Sequence, residues 1–157
     1  AAVLRQAIDA SPNPRADWQS LLMGALAESG DTAGAARVAA DVAAKNPGDT
    51  RVQMNLVAMY QQAGKDDEAI AVLEKLRAAG QLAEERDYRL LYSLYANSEN
   101  KEAQSIAVIN EGLAKGILKP DYNTQLALAQ AYYFSDRMPD AIEAYRKAAP
   151  LGKDGET

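Results

Sequence analysis

Residues 49–80, DTRVQMNLVAMYQQAGKDDEAIAVLEKLRAAG, decide the fold because they hold two amphipathic helical patterns joined by a short turn. Val52, Leu56 and Met59 recur at three- and four-residue steps, which places them on one face of a helix. Gly64 predicts the end of that helix, and the carboxylates at 66–68 favour the start of a second one. One such hairpin cannot bury both its faces, so it needs similar hairpins beside it.

The same pattern recurs along the chain. One apolar position repeats at spacings of 34, 35 and 37 residues, at Leu26, Tyr60, Tyr95 and Tyr132. A small residue repeats at spacings of 34, 36 and 36, at Ala35, Ala69, Ser105 and Ala141. Four residues after each small one stands a residue that is usually larger, at Ala39, Leu73, Ile109 and Tyr145. The repeated unit is therefore a helix–turn–helix hairpin.

A hairpin of about 34 residues with this small-then-large pattern resembles the tetratricopeptide repeat family over nearly the whole chain. The resemblance implies an all-α, right-handed superhelical solenoid. The expected organisation is one domain, residues 1–157, with a half-repeat at 1–15 and repeats at 16–49, 50–84, 85–121 and 122–155. Residues 151–157 look like the start of a further repeat, so we expect a segment of a longer chain.

Several side chains carry specific packing expectations. Asp49 is placed to cap the next helix. Ile117 or Leu118, in an unusually apolar connector, should pack inward. Tyr92 stands where the family usually has glycine or alanine, so it should push the helices of the third repeat apart. The repeat register assigns four tyrosines to core positions, namely Tyr60, Tyr95, Tyr132 and Tyr145.

Composition excludes several classes of function. There is no cysteine and no histidine, so disulfides, thiolate metal sites and a histidine base are absent. The net charge of −5, without a stripe of Lys and Arg, argues against nucleic-acid binding. The sequence has no run of eighteen apolar residues, so it predicts no direct membrane insertion. We therefore predict no catalytic, cofactor-binding or metal-binding residue, and an enzyme only if catalysis lies in another part of the full chain.

Two acidic groups and one short motif are candidate chemical sites. The carboxylates at 66–68 and at 84–85 could serve as paired carboxylates or hard-metal ligands, but both groups stand at helix starts, where the helix dipole already favours anions. Residues 98–101, SENK, match the S-x-x-K nucleophile pattern without its partner motifs, and they fall in a turn. The interpretation favoured for all three is structural.

The family resemblance implies a concave groove, lined by the first helix of each hairpin, that binds an extended peptide or a partner's helix. We therefore predict a non-catalytic scaffold for protein–protein interaction. The candidate groove residues are Arg51, Met54, Asn55, Gln61, Arg86, Arg89, Asn97, Asn123, Gln130 and Tyr133. Their amides suit hydrogen bonding to a peptide backbone, and their arginines suit pairing with carboxylates.

The carboxylate clamp of chaperone-adaptor members of the family is only half matched. Asn55 and Arg86 stand at clamp positions and Arg89 lies nearby, but Ser20 and Gly24 replace the expected lysine and first asparagine. A half-clamp lacks the bidentate grip, so this interpretation is disfavoured.

A structural role is the alternative to peptide binding. In this interpretation the segment stacks on further repeats, or self-associates, through its uncapped terminal helices. An exposed last helix carrying Ile142, Tyr145 and Ala148 would drive that association.

A narrower likeness concerns the compartment. The run LLYSLYANSENKEAQSIAVINEGLAKGILKP and the string AIEAYRKAAPLGKDGE look like exported repeat proteins of Gram-negative bacteria, some of them encoded beside outer-membrane transport systems. This likeness favours the bacterial periplasm, with the cytoplasm as the open alternative.

Overall fold

The computed structural model describes residues 1–12 and 15–152, apart from the side chain of Ala16. Within these residues it has α-helices and no β-strand, which confirms the all-α prediction. The helices are α1 (Ala2–Ala10), α2 (Ala16–Glu28), α3 (Thr32–Lys45), α4 (Thr50–Gln62), α5 (Asp66–Ala78), α6 (Glu85–Ala96), α7 (Glu102–Ala114), α8 (Tyr122–Phe134) and α9 (Met138–Ala148).

The chain forms two compact units, Ala1–Ala78 and Ala79–Thr157. In the first unit α1 packs on α2, α2 on α3, α3 on α4, and α4 on α5. In the second unit α6 packs on α7, α7 on α8, and α8 on α9. Each unit is therefore a row of helical hairpins, as the repeat pattern predicts.

The hairpin turns share one backbone conformation although they do not share one residue type. Gly30 and Gly64 have positive φ angles of 84° and 68°, which glycine adopts without a steric penalty. In the second unit the equivalent positions are Asn100 and Asp136, with φ of 58° and 57°. Short polar side chains tolerate this left-handed conformation better than most residues do, so these turns form without glycine.

Aspartates begin three of the helices. The side chain of Asp31 accepts a hydrogen bond from the amide of Gly34, at 2.8 Å, at the start of α3. Asp49 accepts from the first amides of α4, which confirms its predicted cap. Asp121 does the same at α8. These bonds satisfy amides that have no partner inside the helix, so they fix where each helix starts.

The small repeat positions are among the most deeply buried points of the hairpins. Ala35, Ala69, Ser105 and Ala141 are each at most 1% exposed. Small side chains at these points let the two helices of a hairpin approach closely. Three of the four residues that follow them in the pattern are also buried, namely Ala39, Leu73 and Ile109.

The connector before α8 packs inward, as predicted. Leu118 is 2% exposed and lies against Gly112 of α7. A Cβ atom at Gly112 would come within 2.6 Å of Leu118 Cδ1 and 3.0 Å of Tyr88 Cδ1. Glycine is therefore required there by close packing of the connector on the helix.

Three expectations about packing are wrong. Tyr145, assigned to the core, is 40% exposed, because α8 is the only helix with extensive contacts to α9 in the described part of the chain, and it covers another face of α9. Ala148, expected in an exposed patch, lies on the covered face and is buried. Tyr92 does not separate α6 from α7, since the hydroxyl of Ser105 donates to the Tyr92 carbonyl oxygen at 3.2 Å.

Candidate functional site

An open cleft of about 600 Å³ lies in the second unit, between the C-terminal halves of α6 and α8. Helix α6 contributes Tyr92, Ser93 and Ala96, and Asn97 follows as its C-cap residue. The α6–α7 turn and the start of α7 contribute Ser98, Glu99, Glu102 and Ser105. Helix α8 contributes Ala127, Gln130, Ala131 and Phe134. All these residues belong to one unit, so the packing of a single pair of hairpins forms the site.

Polar groups with unused hydrogen-bonding capacity line the cleft. The hydroxyl groups of Ser98 and Ser105 donate hydrogen bonds to carbonyl oxygens of α6. The side chains of Ser93, Asn97 and Gln130 are exposed and form no hydrogen bond with any residue that the structure describes. Amide side chains both donate and accept, so Asn97 and Gln130 can pair with the backbone of an extended ligand.

The apolar surface of the cleft centres on Phe134, at the end of α8. This side chain is 69% exposed, more than the adjacent Tyr133 at 47%. The two rings meet edge to face with their centroids 5.4 Å apart, which restricts the orientation of both. Phe134 lines the cleft, whereas Tyr133 does not. Alanines on both helices keep the cleft wide enough for an incoming side chain.

Arg89 lies in an ion-pair network beside the cleft wall. Its Nη2 atom is 2.6 Å from Glu85 Oε1 and 2.7 Å from Asp121 Oδ2, and Nη1 donates to the Tyr92 hydroxyl at 3.1 Å. Asp121 is 32 residues away in sequence, so this network joins α6 to the start of α8. The guanidinium group is therefore bound to carboxylates of its own chain.

The electrostatics of this network agree with its geometry. Burial is the largest effect and disfavours the charged form of Arg89, but the bond to Glu85 and the electrostatic interactions with Tyr92, Asp121 and Glu85 together outweigh it, so the pKa of Arg89 is raised. Burial alone would raise the pKa of Asp121, but the Thr124 amide and Arg89 hold it below its usual value. Burial also raises the pKa of Tyr92, which keeps its hydroxyl neutral.

Arg86 is likewise paired within the chain. Its Nε atom is 2.8 Å from Glu84 Oε2 and 3.7 Å from Asp87 Oδ1. Asp87 is only 8% exposed, and desolvation followed by repulsion from Glu84 raises its pKa. Both arginines predicted for the third repeat of the groove thus have carboxylate partners before any ligand arrives.

The predicted groove residues fall into three groups. Asn97 and Gln130 line the cleft. Arg86, Arg89, Asn123 and Tyr133 belong to the same unit and do not line it. The remaining four lie on α4 of the first unit, with Arg51 and Asn55 exposed and Met54 and Gln61 half-buried. For all ten residues, contact with a ligand remains a prediction.

The groove residues predicted from the sequence do not include the aromatic and acidic residues of the cleft, although Phe134, like Tyr133, is expected from its position after the core tyrosine to face away from the core. Phe134 follows Gln130 by four residues, a spacing that puts both on one helix face, and this signal was available. Glu99 and Glu102 gave no comparable signal, because they stand in a turn and at a helix start, where carboxylates are common.

Membrane and metal chemistry find no support in the part of the chain that is described. No helix there is long and apolar enough to cross a bilayer. No group of three or more acidic side chains there is arranged to hold a metal ion.

Known proteins resemble the chain in sequence over one region and in structure over nearly all of it. The tetratricopeptide repeat family matches residues 26–97. No curated protein matches the chain. Among solved structures, MamA AMB-1 is 22% identical with a TM-score of 0.73, covering 97% of this chain and 80% of that one.

Two further MamA structures are similar. MamA MSR-1 has 20% identity and a TM-score of 0.71, covering 98% of this chain and 86% of its own. MamA from Desulfovibrio magneticus RS-1 has 20% identity and a TM-score of 0.66, covering 90% and 77%. Identities this low show the fold alone. Residues 26–97 therefore match the tetratricopeptide repeat family, and the chain has the helical-hairpin fold of these structural neighbours.

Proposed function

We propose that the second unit binds an extended segment of a partner protein in the cleft between α6 and α8. Tetratricopeptide repeats serve as non-catalytic scaffolds that offer concave surfaces to other proteins. The observation that carries the proposal is the meeting of unpaired amide side chains, Asn97 and Gln130, with the exposed ring of Phe134 in one cleft.

The chemistry of the cleft fits a peptide. A volume of about 600 Å³ lies within the range of ligand pockets and accommodates a few side chains of an extended chain. Asn97 and Gln130 can each pair with a peptide group, which gives affinity independent of sequence. Phe134 and the alanines of the walls offer apolar contact to a side chain, which gives selectivity.

The test uses two matched pairs of variants. Peptides that bind are first selected from a random library of short linear peptides, with the whole chain as the target. Affinity is then measured by fluorescence anisotropy for Gln130→Ala against Gln104→Ala, an exposed glutamine of α7 that does not line the cleft. Phe134→Ala is compared in the same way with Tyr133→Ala.

We expect Gln130→Ala to weaken binding by about twofold to tenfold, the equivalent of one hydrogen bond. Phe134→Ala should weaken it by about tenfold or more, because a buried aromatic anchor usually dominates an interface. The Gln104→Ala control should bind as the unaltered chain does, and Tyr133→Ala should lose less affinity than Phe134→Ala, because Tyr133 contacts the Phe134 ring but does not line the cleft. Equal losses for Phe134→Ala and Tyr133→Ala, or no loss for either, would exclude the cleft as the site.

Self-association is the second candidate function, favoured by one observation. Met138, Ile142 and Tyr145 recur at helical spacing on α9 and are 46%, 50% and 40% exposed. Such an apolar stripe is costly in water unless another surface covers it. Sedimentation over a range of protein concentrations would show an oligomer that Ile142→Ser with Tyr145→Ser dissociates. A monomer at every concentration would exclude this function.

A further inference from the structure

We infer that the cleft selects a basic segment, with an arginine or lysine side chain of the partner entering between α6 and α8. This inference rests on the proposed function and specifies its ligand. It reverses the charge expected from the predicted groove, where arginines were expected to pair with carboxylates of the ligand.

The charged groups that line the cleft are all carboxylates. Glu99 lies in the α6–α7 turn and Glu102 in the first turn of α7. Neither forms an ion pair with another residue in the described parts of the chain. Lys101 stands between them in sequence, but it does not line the cleft and pairs with neither. An entering cation would therefore meet two uncompensated carboxylates.

The arginines near the cleft cannot offset this charge. Arg89 is bound to Glu85 and Asp121, and Arg86 to Glu84, at distances of 2.6 to 2.8 Å. Recruiting either guanidinium to a ligand would leave a carboxylate of the chain unpaired. An acidic peptide would thus meet repulsion from the two carboxylates of a cleft that no Lys or Arg side chain lines, and the net charge of −5 adds to this repulsion at long range.

The ring of Phe134 adds a second feature that suits a cation. Its high exposure leaves ring surface available, and a guanidinium or ammonium group above an exposed ring gains about a factor of two to five in affinity. The same chemistry already occurs within this unit, where Arg137 Cζ lies 4.7 Å from the centroid of the Tyr132 ring. The side-chain oxygens of Asn97 and Gln130 can accept bonds from the same cation.

The experiment measures the charge of the ligand and its dependence on the cleft. Peptides selected from a random library should be enriched in Arg and Lys. The tightest one is then measured against Glu99→Gln with Glu102→Gln, and against a control pair, Glu28→Gln with Glu68→Gln. The control glutamates are exposed, lie in the first unit and form no ion pair in the part of the chain that is described. Both pairs change the net charge equally.

We expect the cleft pair to weaken binding by about fivefold to twentyfold at low salt, since each partly exposed ion pair contributes a factor of about two to five. The control pair should leave binding within about twofold, the scale of a long-range charge effect. Replacing the peptide's arginine by neutral citrulline should cause a similar loss. Little further loss should follow when citrulline and the cleft pair are combined, because the two changes remove the same interaction.

The outcomes separate this inference from the proposed function. Neutral or acidic selected peptides whose binding is still lost in Phe134→Ala would overturn the inference and leave the cleft as the site. Equal effects of the cleft and control pairs would overturn it as well. Peptides that bind Phe134→Ala normally would overturn both proposals, as would a finding that Phe134→Ala dissociates a dimer of the chain. Circular dichroism of each variant checks that it is folded.

Discussion

Replacing Arg89 tests whether this residue stabilises the second unit or serves a ligand. In Arg89→Met the guanidinium is lost while most of the aliphatic stem remains, so the change removes bonds rather than volume. The lost bonds are those to Glu85, Asp121 and the Tyr92 hydroxyl, at 2.6, 2.7 and 3.1 Å.

The expected magnitude follows from the exposure of the three charged groups. The side chains of Arg89, Glu85 and Asp121 are 27%, 33% and 41% exposed, so solvent screens both ion pairs in part. Each pair then contributes about 0.5 kcal/mol, within the range for exposed pairs. The bond to the buried tyrosine hydroxyl adds about 0.5 to 1 kcal/mol. We expect a total loss of about 1 to 2 kcal/mol from the free energy of unfolding.

Two assays measure this loss. Urea unfolding gives the change for the chain, and amide hydrogen exchange of peptides from α6 and α8 assigns it to the second unit. Asp121→Asn keeps a side chain that caps α8 and removes only the charge, so combining it with Arg89→Met gives the coupling between the two residues, about 0.5 kcal/mol. Peptide affinity should stay unchanged, because Arg89 does not line the cleft.

The pH dependence supplies an independent check of the same network. Because the pKa of Asp121 is lowered in the folded chain, its contribution is complete above the ordinary aspartate pKa and is lost as the pH falls through the folded value. The difference in stability between the unaltered chain and Arg89→Met should therefore shrink in acid. A stable Arg89→Met variant that has lost peptide binding would refute the structural role and restore Arg89 to the ligand site.

Three further predictions concern single positions. Gly112→Ala should lower stability by about 1 to 3 kcal/mol, because its methyl group would overlap Leu118, whereas Gly24→Ala has open space and should raise stability by up to about 1 kcal/mol; thermal unfolding compares the two. Asp31→Ala removes the cap of α3 and should cost about 1 kcal/mol in urea unfolding, with unchanged stability contradicting the role of the cap. Asp87→Asn should raise the Tm at neutral pH, because burial raises the pKa of Asp87 and makes its charge costly. The gain should fade as the pH falls through that raised pKa towards the ordinary aspartate value, and a gain that persists below it would contradict this explanation.

The site could be predicted only in part from the sequence. The amides of Asn97 and Gln130 were identified because the repeat register places them on the first helix of each hairpin. Tyr133 was chosen where Phe134 is the lining residue. Successive residues on a helix point about 100° apart, so a shift of one position selects a different side chain, and the contact of Tyr133 with a ligand stays a prediction.

The sequence by itself determined the hairpins and their spacing. Helix periodicity, the small residues such as Ala69 and Ser105, and the capping aspartate Asp49 act within one or two turns of chain, so their consequences can be worked out locally. The same local rules predicted the inward packing of the connector at Leu118, because its apolar side chains are removed from water only by packing against the neighbouring helices.

The tertiary structure decided the charge of the cleft and the exposure of its last helix. Arg89 reads in sequence as an exposed groove residue, and only its contact with Asp121, 32 residues away, shows that its charge is already neutralised. From the sequence, Glu99 and Glu102 are interpreted as a turn carboxylate and a helix-start carboxylate. In the structure α8 packs against the same hairpin, and its Phe134 and Gln130 line one cleft with both glutamates. Tyr145 is exposed because burial depends on whether a neighbour covers a face, and a residue's own segment does not carry that information.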